Sequence, residues 1–508
     1  MARADYFDRA VQAAFHVLND FDQQAFLKKV DAHQIALAFD SHALTPEGIA
    51  ALDLSMRLIA RFYPSIAIIP LSHGCKDAAH SLKTLAKSIN PKIAIAVKLG
   101  KATDVIVVGK TVPLGDGKVN RYFIGSDGWI TRFSRSKPVG SGTSNNLLGA
   151  GVAACLAAAN IFRRIFSDAK LDDELTFSVL DMDIAAENPR NPVLKDVDIG
   201  DTYLAGAGAI GHGFIWGMFG YANLTGKLTL IDHDDIDLFN IQRYALTGRC
   251  SEGKKKVDLA ADFLSWREGL QVTKFHGKWE DFVSNLPEDK WTFSRVVSAL
   301  DSPKDRIELQ ASLPKWVVNG WTGDCDAGVS HHDFINHACL ACLYMPSGSV
   351  KNEDEIILEA LGLPPDQLRV VRDRLEKGIP TDRGFLELVA KGKNVDLQKL
   401  LLFENKPLRE LYTKAVCSGA VMELATGTKS TARAEVPMPF QSAFAGILQA
   451  AVLIANAAGT PSLPGFTRIN LMKPFIGANP GTSWTQAKHA RCFCNDEDYR
   501  QAYKEKYV

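Results

Sequence analysis

The sequence predicts an α/β protein with two sheet-forming units in tandem, and three observations carry that prediction. Residues 201–232 run through a strand-like Thr202-Tyr203-Leu204-Ala205, a glycine-rich turn, an apolar helix-like segment, a second strand-like run and an acid. Nearer the N-terminus, short apolar runs at 65–71, 92–97 and 104–108 enclose a helical stretch at 80–88, giving the order β, α, β, β. Two segments rich in small residues, 145–160 and 440–456, resemble each other and close the two units, as a duplication would produce.

Composition bounds the class. At 508 residues and 55.5 kDa the chain has room for two to four domains and a well-buried core. Apolar residues make up 46% and charged residues 23%, which is ordinary for a globular protein. A formal charge of zero and a pI near 7.2 leave no electrostatic footprint for nucleic acid or an anionic membrane. The first residues, Met-Ala-Arg-Ala-Asp-Tyr-Phe-Asp, lack an apolar signal core, so a cytoplasmic location is expected. Segments 147–162 and 440–459 are nearly uncharged. Both are rich in Ala and Gly and the second carries Gln441, Gln449 and Asn456, so they read as helices buried in protein rather than membrane spans. Nine cysteines are too sparse for a disulfide scaffold and odd in number, which points to metal or thiol chemistry.

Taken in order, residues 4–60 read as helical, with Phe7, Val11, Phe15 and Leu18 spaced at three or four. The first strand-like run is followed by Ser72-His73-Gly74-Cys75, with no glycine fingerprint behind it. A polar stretch at 167–200, punctuated by Asn188-Pro189-Arg190-Asn191-Pro192, suits a boundary. The expected domains are 1–195, a second unit over 196–342, a charged helical insertion over 343–436, and a return to the second unit over 437–508. Within the second unit a strand at 295–300 ends in Asp301, and another covers 316–319.

The glycine turn reads Gly206-Ala207-Gly208-Ala209-Ile210-Gly211. One glycine permits the tight turn, one lets the backbone approach phosphate oxygens, and one lets helix and strand pack closely. Asp232 follows Gly211 by 21 positions (232 − 211), where a ribose-binding carboxylate is expected in a Rossmann-like unit. The turn alone would serve NAD or FAD. The residues after it, Asp232-His233-Asp234, Asn240-Ile241-Gln242-Arg243 and Gly253-Lys254-Lys255-Lys256, add an arginine and a lysine that a dehydrogenase has no evident use for. An enzyme that splits ATP between its α and β phosphates must neutralise a departing pyrophosphate, and Arg and Lys beside Mg²⁺ do that.

Asp-x-Asp, Asn-x-Gln-Arg and Gly-x-x-Lys resemble the adenylation domain of ubiquitin-activating enzymes and their bacterial sulphur-carrier relatives of the ThiF and MoeB type. The resemblance implies tandem Rossmann-like adenylation domains, the first inactive and the second active, with a helical catalytic-cysteine insertion. It places Gly206, Gly208, Gly211 and Asp234 around ATP, with Asp232 on the ribose and Asn240, Arg243 and Lys256 on the phosphates. By the same resemblance Asp301 coordinates Mg²⁺; read from the residues alone it serves equally as an N-cap for the segment containing Pro303. The family's structural zinc, Zn²⁺, is implied at Cys339, Cys342, Cys492 and Cys494, although the second pair is CxC rather than CxxC and His489 is a possible substitute ligand. Cys417 is the implied thioester nucleophile, with Lys414 nearby and Cys250 and Cys325 as rivals.

The activity so implied is ATP-dependent adenylation of the C-terminal glycine of a ubiquitin-like protein, then thioester transfer to an enzyme cysteine. Its partners would be that protein and a conjugating enzyme, with neither nucleic acid nor membrane, in a monomer that contains an internal pseudo-dimer. A bacterial antiviral conjugation operon is the implied setting. A sulphur-carrier adenylyltransferase, a non-catalytic scaffold and a dehydrogenase are the competing readings. Arg3 and Arg9 are the candidates for an arginine reaching the ATP site from the first unit.

Overall fold

A computed structural model describes residues 3–18, 21–113, 119–184, 188–219, 221, 223–287, 291–346, 353–393, 395–412, 436–461, 463–475 and 486–507. The chain divides into two compact units, Met1–Met345 with Pro437–Val508, and Pro346–Val436.

The larger unit holds two sheets. The first contains β1 (Ile35–Phe39), β2 (Ser65–Pro70), β3 (Ala94–Ala96), β4 (Asp104–Val108), β5 (Asn120–Asp127), β6 (Ile130–Ser134), β7 (Glu174–Ser178) and β8 (Asp183–Ile184). Their spatial order is β3-β2-β1-β4-β5-β6-β7-β8, parallel from β3 to β5 and antiparallel thereafter. The second contains β9 (Val197–Ala205), β10 (Leu224–Ile231), β11 (Leu270–Phe275), β12 (Arg295–Ser298), β13 (Val317–Thr322), β14 (Asp326–His332) and β15 (Phe466–Asn470). Its order is β11-β10-β9-β12-β13-β14-β15, parallel from β11 to β13 and antiparallel thereafter. Strand for strand the two sheets follow the same course through their first seven strands. In each, a 19-residue helix precedes the seventh strand: Leu148–Phe166 in one, Pro439–Ala457 in the other. These are the two small-residue segments that resemble each other in sequence.

The helical reading of residues 4–60 is corrected at β1. Helices Phe7–Val17, Gln23–Ala32 and Pro46–Phe62 form as expected, but Ile-Ala-Leu-Ala-Phe between them is a central strand, buried at all five positions. A strand covered on both faces has no polar alternation, so periodicity cannot separate it from a buried helix.

Three helices form the seam between the sheets: Leu148–Phe166, Ala209–Phe219 and Pro439–Ala457. Their glycines set the approach. A Cβ on Gly446 would sit 2.2 Å from the Ile210 carbonyl oxygen and 2.4 Å from the Phe214 nitrogen, and one on Gly151 would sit 2.4 Å from the Trp216 ring. The two 19-residue helices are apolar and long enough to cross a membrane, and both are enclosed in the protein. Alanine and glycine at these crossings explain why so apolar a helix is interior: small side chains let neighbouring backbones touch. A further tie joins the halves where Asp172, buried with Arg163 and Asn160, accepts the Phe475 N–H at 2.7 Å.

The smaller unit is helical, with Glu353–Ala360, Leu368–Lys377 and Arg383–Lys393 closing around Ile357, Leu361, Val371, Leu386, Val389 and Phe403. Cys417 and Lys414 lie outside the described residues.

Because backbone atoms lie well inside contact distance of a Cβ there, Gly446→Val is expected to destabilise by about 1–3 kcal/mol or more, the range for an overpacked core. A thermal melt of the purified variant checks this, and an unchanged midpoint would contradict the glycine seam.

Candidate nucleotide site and cysteine cluster

The candidate site lies at the C-terminal ends of the parallel strands of the second sheet, where open α/β sheets bind ligands. Strand β9 delivers Gly206, whose φ of +94° belongs to the left-handed side of the map. Its N–H donates to the Ile231 carbonyl at 2.9 Å, and a Cβ there would sit 2.6 Å from the Ala299 oxygen. Gly211 is packed as closely, 2.4 Å from the Gly206 oxygen by the same construction. Gly208 differs. The nearest atom to its absent side chain is the Tyr244 hydroxyl at 3.5 Å, so this glycine leaves an open face of the turn.

Asp232 is buried beside the turn. One carboxylate oxygen accepts the Ala207 N–H at 2.7 Å and the other accepts the Asp234 N–H at 2.9 Å. Lys256, at the start of the helix Lys256–Leu264, places its ammonium 2.6 Å from Asp234 and 3.7 Å from Asp232. Burial works against charge on Asp234, yet the Lys256 hydrogen bond and charge hold its carboxyl below the usual carboxylate value. Burial likewise opposes the ammonium, but Tyr244 and the two carboxylates raise Lys256 well above an ordinary lysine. The ammonium also lies 5.6 Å from the centre of the Tyr244 ring, and the Arg243 guanidinium lies 5.5 Å from it. Two cations thus share one aromatic ring whose hydroxyl looks onto Gly208.

Asn240 ends a one-turn helix, Leu238–Asn240, in which its side-chain oxygen accepts the Asp237 N–H at 2.9 Å and Asp237 accepts the Phe239 N–H at 2.8 Å. This reciprocal cap fixes the turn that leads into Arg243. Of the two arginine candidates, Arg3 pairs with Asp31. Arg9 lies over the Phe239 ring at 5.6 Å, next to the Asn240 turn. Burial, and then the charge of Arg243, hold Arg9 below an ordinary arginine.

Asp301 is exposed just past β12. The helix that follows is capped by Ser302, whose hydroxyl accepts the Asp305 N–H at 3.0 Å, with Pro303 as its first residue. The N-cap role therefore belongs to Ser302, and the Asp301 carboxylate is not spent on it.

Sequence reading missed the residues that hold the loop after Arg243. Arg61, fully buried on the helix Pro46–Phe62, donates to the carbonyls of Tyr244 at 2.7 Å, Ala245 at 2.9 Å and Thr247. His212 accepts the Leu246 N–H on Nδ1 at 3.2 Å. No local pattern announces either contact, since Arg61 stands 183 positions from Tyr244.

At the equivalent place in the first sheet, β1 is followed by Asp40 rather than glycine. Its carboxylate accepts the N–H groups of His42, Lys110 and Thr111 at 2.8, 2.9 and 2.6 Å, and a Cβ on Gly109 would sit 2.2 Å from it. Burial opposes the charge, but these hydrogen bonds keep Asp40 below its ordinary value. A fixed negative charge here opposes phosphate.

Cys339, Cys342, Cys492 and Cys494 come together, all buried, with sulphur atoms within 4.8 Å of one another. The closest pairs are 339–342 at 3.8 Å, 339–492 at 3.5 Å and 342–494 at 3.4 Å. A tetrahedral zinc with Zn–S near 2.3 Å needs S···S separations of about 3.8 Å, so the four thiols fit that ion. The CxC pair suffices because the one-turn helix Phe493–Asn495 closes between Asn495 and Cys492 at 3.0 Å. His489 is not needed as a ligand: its backbone N–H donates to the Cys342 sulphur at 3.4 Å, and its ring accepts from the Arg491 backbone. Elsewhere, Cys250 is exposed, Cys325 is half-buried in the β13–β14 turn, and Cys75 and Cys155 are buried, with burial pushing the Cys155 thiol up.

Two outcomes follow from these sites. Metal analysis of the purified chain should return one zinc per molecule, and Cys494→Ser should lose it and melt at lower temperature; a metal-free wild type with the same melt would refute the site. Burial pulls the His212 imidazole down to about 3 from an ordinary 6.5. Between those values the unfolded chain carries the extra proton, so stability falls as pH drops from about 6.5. Melting midpoints at pH 7.5 and 5 should show that loss, and His212→Asn, which keeps an acceptor for Leu246 but does not titrate, should reduce it.

Comparison with known proteins places this geometry. A family model described as the ThiF family matches residues 181–475, and one described as prokaryotic E2 family C matches residues 38–167. The protein y4jF of Sinorhizobium fredii (strain NBRC 101917 / NGR234), described as uncharacterized, is 41% identical over 516 residues, covering 100% of this chain and 98% of its own. A solved structure titled "Crystal Structure of SeMet PaaA" aligns at 22% identity and a TM-score of 0.21, over 26% of this chain and 40% of that one. Since the ThiF match spans more than half of the chain and contains the glycine turn, the Asn-x-Gln-Arg loop and Asp301, the protein is a ubiquitin-activating-enzyme-like member of the ThiF family.

Proposed function

We propose that the protein activates the C-terminal glycine of a ubiquitin-like protein in two steps, adenylation and then thioester formation. ThiF membership suggests adenylyltransferase activity on a ubiquitin-like or sulphur-carrier protein. The observation that carries the nucleotide half of the reading is the Tyr244 ring, which bears Lys256 and Arg243 and faces the open side of Gly208.

In the first step the partner's carboxylate oxygen attacks the α-phosphorus of ATP, and the bond to the β-phosphate oxygen breaks. The glycine turn receives the phosphates through its backbone, and Asp232 holds the ribose. Arg243, Lys256 and Arg9 offset the charge of the departing pyrophosphate. Asn240 and Asp234 shape that pocket, Asp234 by fixing Lys256. Asp301 would hold Mg²⁺, which supplies further neutralisation of phosphate charge when bound. In the second step the Cys417 thiolate attacks the acyl carbon and AMP leaves, giving a thioester for a conjugating enzyme to accept.

Residues 1–195 serve, in this reading, as the inactive adenylation-like copy, and residues 343–436 as the cysteine-bearing insertion between the two segments of the active copy, 196–342 and 437–508. The shared strand order and the phosphate-opposing Asp40 support the first assignment. The E2-family match over 38–167 does not favour a transfer cysteine there, because Cys75 and Cys155 are both buried. One chain then supplies both halves of a pseudo-dimer. We place it in the cytoplasm, in a bacterial ubiquitin-like conjugation operon with an antiviral role.

Pyrophosphate exchange into ATP should depend on the ubiquitin-like partner, and Arg243→Ala should lower it about 10²–10³-fold. Exchange independent of the partner, or unaffected by the substitution, would sink the adenylation step. Cys417→Ala should keep exchange while abolishing a thiol-sensitive covalent adduct on a non-reducing gel. An undiminished adduct would move the nucleophile elsewhere, with Cys250 and Cys325 next in line.

A further inference from the structure

We propose that Arg61, contributed by the N-terminal half, is a positioning residue for the nucleotide loop of the other half, acting as a fixed cation that gathers the loop's carbonyls. This rests on the reading of Asn240 to Lys256 as the ATP-phosphate segment.

The geometry is specific. One terminal nitrogen of Arg61 donates its two hydrogens, shared among the carbonyls of Tyr244, Ala245 and Thr247, and the other donates to the Arg57 carbonyl one turn back on its own helix at 2.6 Å. Arg57 adds a contact to the Ala245 oxygen at 3.2 Å. The nearby carboxylate, Asp53, is engaged elsewhere, accepting from Arg57 at 2.8 Å and from the Trp216 indole at 2.9 Å. Arg61 thus makes no ion pair among the described residues, and burial, with the neighbouring charge of Arg57, pulls it down to about 9. A buried guanidinium without a carboxylate is costly, and an apolar side chain of similar volume would serve packing better. What an apolar side chain does not supply is a point toward which three oxygens of one loop turn.

That convergence has consequences at the site. Turning the carbonyls of Tyr244, Ala245 and Thr247 inward fixes the backbone on which Arg243 and Tyr244 stand, and His212 takes the Leu246 N–H from the same interior side. Tyr244 in turn carries Lys256 and Arg243 on its ring. Arg61 touches no position that substrate would occupy; its effect on the phosphates passes through the loop. The N-terminal half thereby shapes the ATP site from behind as well as presenting Arg9 in front.

The test compares wild type, Arg61→Met and Arg61→Lys by hydrogen–deuterium exchange and by partner-dependent pyrophosphate exchange. Arg61→Met should speed amide exchange over residues 243–249 at least about tenfold while the strands of the first sheet stay protected. It should also raise the KM for ATP about tenfold with a smaller change in kcat, because only a fraction of molecules then holds the competent loop. Arg61→Lys, which keeps the charge but loses the fork, should fall between. Faster exchange spread evenly over the chain, or a local and kinetic profile equal to wild type, overturns the proposal. If Arg61→Met does not fold, the lysine variant decides on the same two readouts. If wild type shows no pyrophosphate exchange, the adenylation reading fails, and the amide-exchange comparison still decides whether Arg61 holds the loop.

Discussion

The arrangement depends on a buried guanidinium that has carbonyls, and no carboxylate, for company. Taking a charge out of water costs several kcal/mol, while each hydrogen bond to a charged group returns about 1.5–3 kcal/mol. Arg61 is tolerable only because several loop oxygens reach it together. The dependence runs both ways: the loop needs the cation to orient its carbonyls, and the cation needs the loop to be buried at all. These hydrogen bonds join residues from opposite halves of the chain and tie the loop after Arg243 to the packing of the two sheets.

The same strand course carries opposite chemistry in the two halves. After β9 the backbone turns through Gly206 and leaves Gly208 open beneath Tyr244, whose ring carries Lys256 and Arg243. After β1 the backbone turns through Asp40, whose carboxylate takes the N–H groups that follow β4. The first arrangement invites an anion and the second supplies its own. The difference between the two copies thus lies in what fills the end of the first strand in each sheet, with the same strand course around it.

The glycine fingerprint, the acid 21 residues beyond it and the Asn-x-Gln-Arg segment were legible because each is local: the turn, the cap and the approach of helix to strand are decided within a few residues. The small-residue segments 145–160 and 440–456 were legible for a related reason, since alanine and glycine at helical spacing record close helix contacts. Strand β1 was not, because a run buried on both faces carries no period. The assignment of Asp301 also needed the structure. Asp301 and Ser302 are both good caps, and only the hydrogen bond from Asp305 shows that Ser302 takes the role.

The sequence by itself determined the α/β class, the glycine-rich turn and the acid beyond it, because these follow from short-range sterics and spacing. Tertiary structure alone decided that Arg9 rather than Arg3 lies beside the Asn240 turn and that Arg61 and His212 hold the loop. These contacts join residues whose neighbours in sequence say nothing of each other. They exist because sheet order and helix seams bring distant segments to one point, where a buried charge or polar group must find its partners.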